Sequence, residues 1–535
     1  MKRDAISLTA AFVVVTICAV VGAQYGEWFG RAGGVAQGDQ IVERSRQFQR
    51  VLGLLSEYYA EPFESDDAIY NGAIPAMLER LDPHSQFFSP EQFERLREEQ
   101  RGSYAGVGMQ IRMFQGRTIV DFPFPDTPAH EAGVRPGDWI AKVDGTSTDD
   151  FSVEEVARSV RGRSGTKVRL SLYRSGVERP VEVELVRGEI HRPTVPLAFF
   201  VRPGVGYLRV SSFGETTSEE LDTALEAFKS KGLEGLILDL RGNHGGLLSA
   251  GVHMAARFLP RGVPVVSHSG RASRERRYDA DRGANLSPYP MTVLVDCQSA
   301  SASEIVAGAL QDHDRALIVG SNTFGKGLVQ SVFTLPGSSG MVLTTARYYT
   351  PSGRLIQRRY DDVSLAEYYG DPCSEGYRPD RSEVRSTTHG RPVYGGGGVT
   401  PDVLFTRSDG DPFERSLIVS RVFERFAQRF ALEHPKLPEG WRPDEPVYED
   451  LERFLQSERI EVEEDLLESR RQLVERRLKA AVYTAVWDHD EGLRVDAELD
   501  PEVRRAADLL QDARKLLEER PVSPLASRRP SANGG

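Results

Sequence analysis

Three serines alternate with alanine in "QSASASEIVAGAL", residues 298–310, just before an apolar run. A serine hydroxyl is a weak nucleophile until a neighbouring group takes its proton, and this stretch holds no histidine. One reading is purely local. Ala302, Ile305, Val306, Ala309 and Leu310 fall on one helix face, and Ser301-x-x-Glu304 reads as a capping box. Such an N-cap contributes about 1 kcal/mol to the helix. The other reading uses the same position differently. A helix start leaves N–H groups without partners, and such donors can hold an oxyanion, often the largest catalytic contribution.

A candidate base further on is Lys326, set between two glycines in "NTFGKGLVQ". Lysine accepts a proton only when neutral, and its ordinary pKa is about 10.4. Lowering it by about three units takes roughly 4 kcal/mol, which burial supplies. Ser–Lys pairs are a known form of activated nucleophile. Gln330, four residues on, reads either as a group that orients the lysine or as a solvent-facing strand residue.

These residues must be positioned by the elements around them. From about residue 203 buried-type strands ("LEGLILDL", "MTVLVD", "RALIVG") alternate with helical patterns, which predicts an α/β layer structure. Thr217-x-x-Glu220 reads as a second capping box. Residues 103–188 have a different texture: short alternating strands, the turn signals "RPGD" and "VDG", and one helix in "SVEEVARSVRG". Before them "FQRVLGLLSEYY" and "GAIPAMLERL" have helical spacing, ended by the breaker "DPHS". Residues 358–398 are polar and loop-like. Beyond about 408 the chain is charged and helical, and its last fifteen residues are expected to be disordered.

At 535 residues the chain calls for several domains. Its net charge of −12 gives no support to a nucleic-acid partner. Lys2 and Arg3 precede nineteen uncharged residues, Ala5–Ala23, which as a helix span about 29 Å. An uncleaved anchor and a cleaved signal peptide ending at Val21-Gly22-Ala23 both fit. Either places the bulk of the chain outside the cytoplasm. The three cysteines, Cys18, Cys297 and Cys373, are too few for a disulfide framework. A Cys297–Cys373 bridge is open in an oxidising compartment, but Cys297 is expected as a buried free thiol. The ten histidines show no metal-binding spacing, so no metal and no cofactor are expected.

The stretch "SASASEIVAGALQDHDRALIVGSNTFGKGLVQ" closely resembles the catalytic region of the carboxyl-terminal processing proteases, the S41 serine endopeptidases. The resemblance implies Ser301 as nucleophile, Lys326 as general base and Gln330 as its support, with the family's separation of 25 residues (326 − 301). "LILDLRGNHGGLL" is similar to the family's oxyanion loop, which implies Gly246 and Ala302 N–H as the oxyanion donors; His244 stands where proline is common. "YAGVGMQIRM" through "TPAHEAGVRPGDWIAKVDG" resembles its embedded PDZ domain. Gly106, Val107, Gly108 and Met109 can offer successive N–H groups as a cup for a carboxylate, beside a strand able to pair with an extended peptide. Those four residues also fit an ordinary strand start. Asp312 matches a position assigned an acidic partner in some members, although a capping or surface role suffices for it. Arg161 reads as a switch between PDZ and protease, or as a surface arginine.

The expected fold class is multidomain α/β. A signal peptide or anchor (1–23) and a linker (24–40) precede an N-terminal helical segment (41–100). An embedded β-rich PDZ domain (101–190) and a crotonase/ClpP-like α/β protease core (191–405) follow. A C-terminal helical region (406–520) and a disordered tail (521–535) complete the chain. The expected function is an extracytoplasmic, periplasmic endopeptidase that takes proteins or peptides by their exposed C-termini, membrane-anchored or exported through the N-terminal segment. A catalytically silent PDZ scaffold is the rival; intact Ser301, Lys326 and Gln330 oppose it. An adaptor or activator protein and a homo-oligomer remain open.

Overall fold

A computed structural model describes residues 35–281, 289–361, 363–369, 383–405, 412–438, 440–458, 460 and 464–518. The apolar segment 5–23 and the tail 521–535 lie outside the described residues. Among the described residues no helix is long and apolar enough to cross a membrane. Residues 1–81 and 82–535 form two compact units. The first contains the 24-residue helix α1 (Val35–Tyr58) and a short helix, Ile74–Glu79, that runs on from a π-helical turn, Ala68–Ala73.

The second unit starts with helix α2 (Pro90–Arg101), capped by Ser89 and Gln92 in a capping box. Next comes a sheet in the order β1 (Met109–Phe114), β2 (Arg117–Pro123), β3 (Trp139–Val143), β4 (Lys167–Tyr173), β5 (Val181–Val186), with β1 at one edge. Alternation in "KVRLSLY" puts Val168, Leu170 and Leu172 inward, with Val156 and Val160 of helix α3 (Val153–Val160) in the same core.

A six-stranded sheet is built from β6 (Leu197–Arg202), β7 (Val205–Arg209), β8 (Gly235–Asp239), β9 (Met291–Val295), β10 (Leu317–Gly320) and β13 (Val403–Leu404), in that order. β6 and β7 are antiparallel and the remaining pairs are parallel. Between them run α4 (Thr217–Ser230), α5 (Leu248–Phe258) and α6 (Ala302–Asp312). Successive strand residues point to opposite faces. Leu236, Leu238, Val293 and Ile318 therefore meet helices α4 to α6, while Ile237, Leu294 and Val319 face Val503, Ala506 and Leu516 near the C-terminus. Both faces are buried, which accounts for the unbroken apolar strand sequences. A second sheet pairs β11 (Leu328–Thr334) and β12 (Gly340–Tyr349) with Gln86–Phe88, Pro264–Ser269 and Arg276–Asp279.

In the C-terminal region α7 (Val422–Glu433) and α8 (Arg471–Val486) share a core through Phe426, Leu478 and Val482. Helices α9 (His489–Leu499), α10 (Pro501–Asp508) and α11 (Leu510–Glu518) follow.

Two expectations are corrected. The Thr217–Glu220 capping box does not form. Thr216 is the N-cap without a side-chain bond, because the Glu220 carboxylate accepts from the Val195 N–H and Thr194 hydroxyl and the Thr217 hydroxyl accepts from Gly214 N–H. Cys297 is disulfide-bonded rather than a free thiol, and its partner falls outside the described residues. Spacing alone gives no measure of whether two thiols can approach within bonding range.

Candidate active site

Three loops meet at the carboxyl ends of β8, β9 and β10, which are neighbours in the sheet. Loops after adjacent parallel strands emerge on one edge, the usual place for ligand sites in such sheets. The loop after β8 carries Gly245 and Gly246, that after β9 carries Ser301, and that after β10 carries Lys326.

Ser301 precedes α6 with φ 54° and ψ −113°, backbone that an L-residue holds only when its surroundings impose it. The imposing group is Glu304. Its fully buried carboxylate accepts from Ser301 N–H at 2.8 Å. It also accepts from the Thr323 hydroxyl at 2.5 Å, Gly325 N–H at 2.7 Å and Lys326 N–H at 2.9 Å. One carboxylate thus joins the backbone of the serine loop to the backbone of the lysine loop. The hydroxyl half of the expected box is approached in geometry, but Glu304 N–H donates at 2.9 Å to the Ser301 carbonyl. The Tyr348 hydroxyl donates to that same carbonyl at 3.1 Å.

The Lys326 amine donates to Gln330 Oε1 at 2.7 Å. Gln330 Nε2 in turn donates to the His84 carbonyl at 2.6 Å. His84 is held in the "DPHS" turn, where Asp82 Oδ1 accepts from both His84 N–H and Ser85 N–H and Tyr368 pairs with the imidazole at 2.8 Å. Burial pushes the Lys326 amine below the ordinary lysine value, against the opposing pull of Glu304 and Asp82. Burial, assisted by the Lys326 charge, also pushes His84 down to about 4. The imidazole beside the lysine is therefore neutral at ordinary pH. Ser301 Oγ and Lys326 Nζ share no hydrogen bond in this structure, consistent with catalytic contacts that close only around substrate.

Gly245 and Gly246 need to be glycine. A Cβ on Gly245 would lie 2.8 Å from the Ser301 Cβ and 3.0 Å from the Ala302 nitrogen. One on Gly246, at φ 144°, would lie 2.1 Å from the Phe213 carbonyl oxygen. Among the described residues, the Gly246 and Ala302 N–H groups donate to no protein acceptor, the condition that oxyanion donors must meet.

The structure brings Ser301, Ala302, Lys326, Gln330 and the glycine loop together; the proposed carboxylate cup lies apart, between the strand that ends at Gly106 and β1, which starts at Met109. There Gly108, at φ 81°, has no room for a Cβ beside Thr127. The Val107 carbonyl accepts from Ala129, and the Gly108 carbonyl from Phe124 and the Thr127 hydroxyl. The Val107 and Gly108 N–H groups have no protein acceptor among the described residues. Gly106 pairs with Gly188, and Met109 opens edge strand β1. Asp312 is not near-surface: it is fully buried against Arg354 at 2.8 Å and accepts from Ser352 N–H, a structural pairing. Arg161 donates to Glu98 at 2.6 Å and lies over the Tyr104 ring.

Comparison with known proteins agrees with this arrangement. Peptidase family S41 matches residues 204–363 and a PDZ domain matches residues 124–174. The carboxy-terminal-processing protease of Bartonella bacilliformis is 40% identical over 323 residues, covering 59% of this chain and 73% of that protein. The chain belongs to peptidase family S41. The carboxyl-terminal-processing protease of Synechocystis sp. is 39% identical over 311 residues, 57% of this chain and 72% of its own length. The solved photosystem II D1 C-terminal processing protease is 31% identical, with 67% of this chain and 86% of that one covered at a TM-score of 0.36. The chain is accordingly an S41 serine endopeptidase of the carboxyl-terminal processing type, with a PDZ domain, and its substrates are proteins or peptides.

Sequence reasoning assigned Glu304 only to a helix cap and "DPHS" only to a break. A glutamate in an otherwise apolar buried helix start was the available signal, since a charge is rarely buried without several partners.

Proposed function

We propose that the protease works through a Ser301–Lys326 dyad supported by Gln330. The observation that carries this reading is the buried lysine, its pKa lowered by desolvation and its amine fixed on Gln330 at 2.7 Å. Neutral Lys326 takes the Ser301 proton as Oγ attacks the scissile carbonyl. The oxyanion is held by Gly246 and Ala302 N–H. Lys326 returns the proton to the leaving amine, leaving an acyl ester on Ser301 that water then cleaves by the same proton route.

Substrate arrives by its C-terminus. Its terminal carboxylate sits in the Gly106–Met109 cup and its last residues pair with the edge of β1. The basic start and apolar segment 5–23 support an activity outside the cytoplasm, on anchored or exported protein. The test incubates the purified full chain with an unstructured protein ending in a free apolar C-terminus, beside Ser301→Ala and Lys326→Ala. Cleavage by the wild type alone supports the dyad; cleavage retained by Lys326→Ala sinks it. Amidating the substrate C-terminus should slow cleavage of the same protein if the cup captures the carboxylate.

A further inference from the structure

The loop after β8 is pinned at nearly every residue from within the protease core. Gly242 N–H donates to both Asp296 carboxylate oxygens at 3.0 Å. The Asn243 side chain donates to the Val210 carbonyl and accepts from Gly245 N–H. The Gly245 carbonyl accepts from Phe213 N–H. Arg241, at the head of this loop, is held differently. Its guanidinium bonds Asp239 at 2.6 Å, and its other arm reaches Asp500 Oδ2 at 3.0 Å and Glu502 Oε2 at 2.8 Å. Those carboxylates lie at the junction of α9 and α10, outside the S41-matched residues 204–363.

The Arg241, Asp239, Asp500 and Glu502 side chains are 7%, 0%, 5% and 5% exposed. Asp500 also accepts from Arg476 at 2.9 Å and caps the start of α10 through Glu502 N–H. A buried ionic group carries a large desolvation cost unless its partners are fixed. Arg241 on Asp239 alone would already be a matched pair. The two further carboxylates do what that pair cannot: they fix the direction of the guanidinium from outside the loop.

We propose that Asp500 and Glu502 are positioning residues for catalysis, acting through Arg241 to hold the 242–246 loop so that Gly246 N–H faces the oxyanion. The C-terminal helices are then part of the catalytic apparatus rather than an appended module. This rests on the oxyanion assignment of Gly246 made above. A displacement of about 1 Å at such a donor can cost on the order of 100-fold in rate.

The test measures kcat, KM and Tm of the full chain on the unstructured protein with a free apolar C-terminus. Glu502→Gln and Asp500→Asn/Glu502→Gln keep shape and remove charge. The control is Asp508→Asn, which breaks an exposed bridge from the same helix α10 to β6 of the same sheet, Arg202 to Asp508 at 2.7 Å. Expected is a fall in kcat of about 10-fold for the single and up to about 100-fold for the double variant, with KM unchanged and Asp508→Asn at the wild-type rate. Wild-type kcat in Glu502→Gln overturns the proposal, as does an equal loss in Asp508→Asn. If the double variant does not fold, the single variant decides, assayed below its own Tm. Gly246→Ala separates the two levels. Its inactivity beside a fully active Glu502→Gln refutes the positioning role alone, and full activity in both refutes the oxyanion assignment too.

Discussion

The serine loop and the PDZ cup use the same raw material, glycine-bearing backbone with N–H groups left without protein acceptors, yet they are built differently. Around Ser301 the backbone is locked by one buried carboxylate with four donors on it. Around Val107 and Gly108 the holding groups are the backbone N–H groups of Ala129 and Phe124 and the Thr127 hydroxyl. Charge-assisted bonds are shorter and roughly twice as strong as neutral ones. On the function proposed above, the reacting centre receives the stiff support and the proposed capture site the softer one.

The largest effect that would sharpen this contrast is Lys326→Ala. We expect kcat to fall by about 10³-fold or more, as for loss of an essential base, while binding of a C-terminal peptide, followed by fluorescence anisotropy, stays unchanged. A coupled loss of binding would mean the two regions are not separate. Glu304→Gln comes next. It turns two N–H or O–H donors towards an amide, and we expect kcat to drop by about 10–100-fold. Gly108→Ala should do the reverse, weakening peptide affinity about tenfold through backbone strain and leaving kcat at saturating substrate intact.

The pH profile gives a smaller but signed test. In the proposed dyad Lys326 works when neutral, and burial lowers its pKa, so kcat/KM should rise with pH through that lowered value and fall as acid protonates the amine. In Glu304→Gln the residual activity should keep its acid limb at lower pH, because the carboxylate pulls Lys326 upward. A limb shifted to higher pH would contradict the coupling. The stability linkage has the same sign: the unfolded chain binds the lysine proton more tightly, so stability from this group rises with pH towards the ordinary lysine value. Thermal melts of wild type against Lys326→Met report it.

Much of this was legible in the residues. The strands after 203 were readable because burial on both faces leaves continuous apolar runs. Ser301, Lys326 and Gln330 were singled out by spacing and family resemblance, and the structure shows a hydrogen bond from Lys326 to Gln330. What escaped was long-range. The His84 carbonyl that holds Gln330 is 246 positions away, and a carbonyl carries no side-chain signature. The Thr217–Glu220 box had the right local pattern, but Glu220 found donors on a neighbouring segment. Cys297 looked like a core thiol because nothing local marks its partner.

The second face of the protease sheet is closed by residues made very late. Thr292 of β9 donates to the Ala506 carbonyl 214 positions on, and Arg241 meets Glu502 across 261. Contacts of that separation form slowly, since loop-closure entropy opposes them until the whole segment is present. Without Val503, Ala506 and Leu516 that face would stand open. Closure of that face therefore has to wait for α10 and α11, long after the strands they cover have been made.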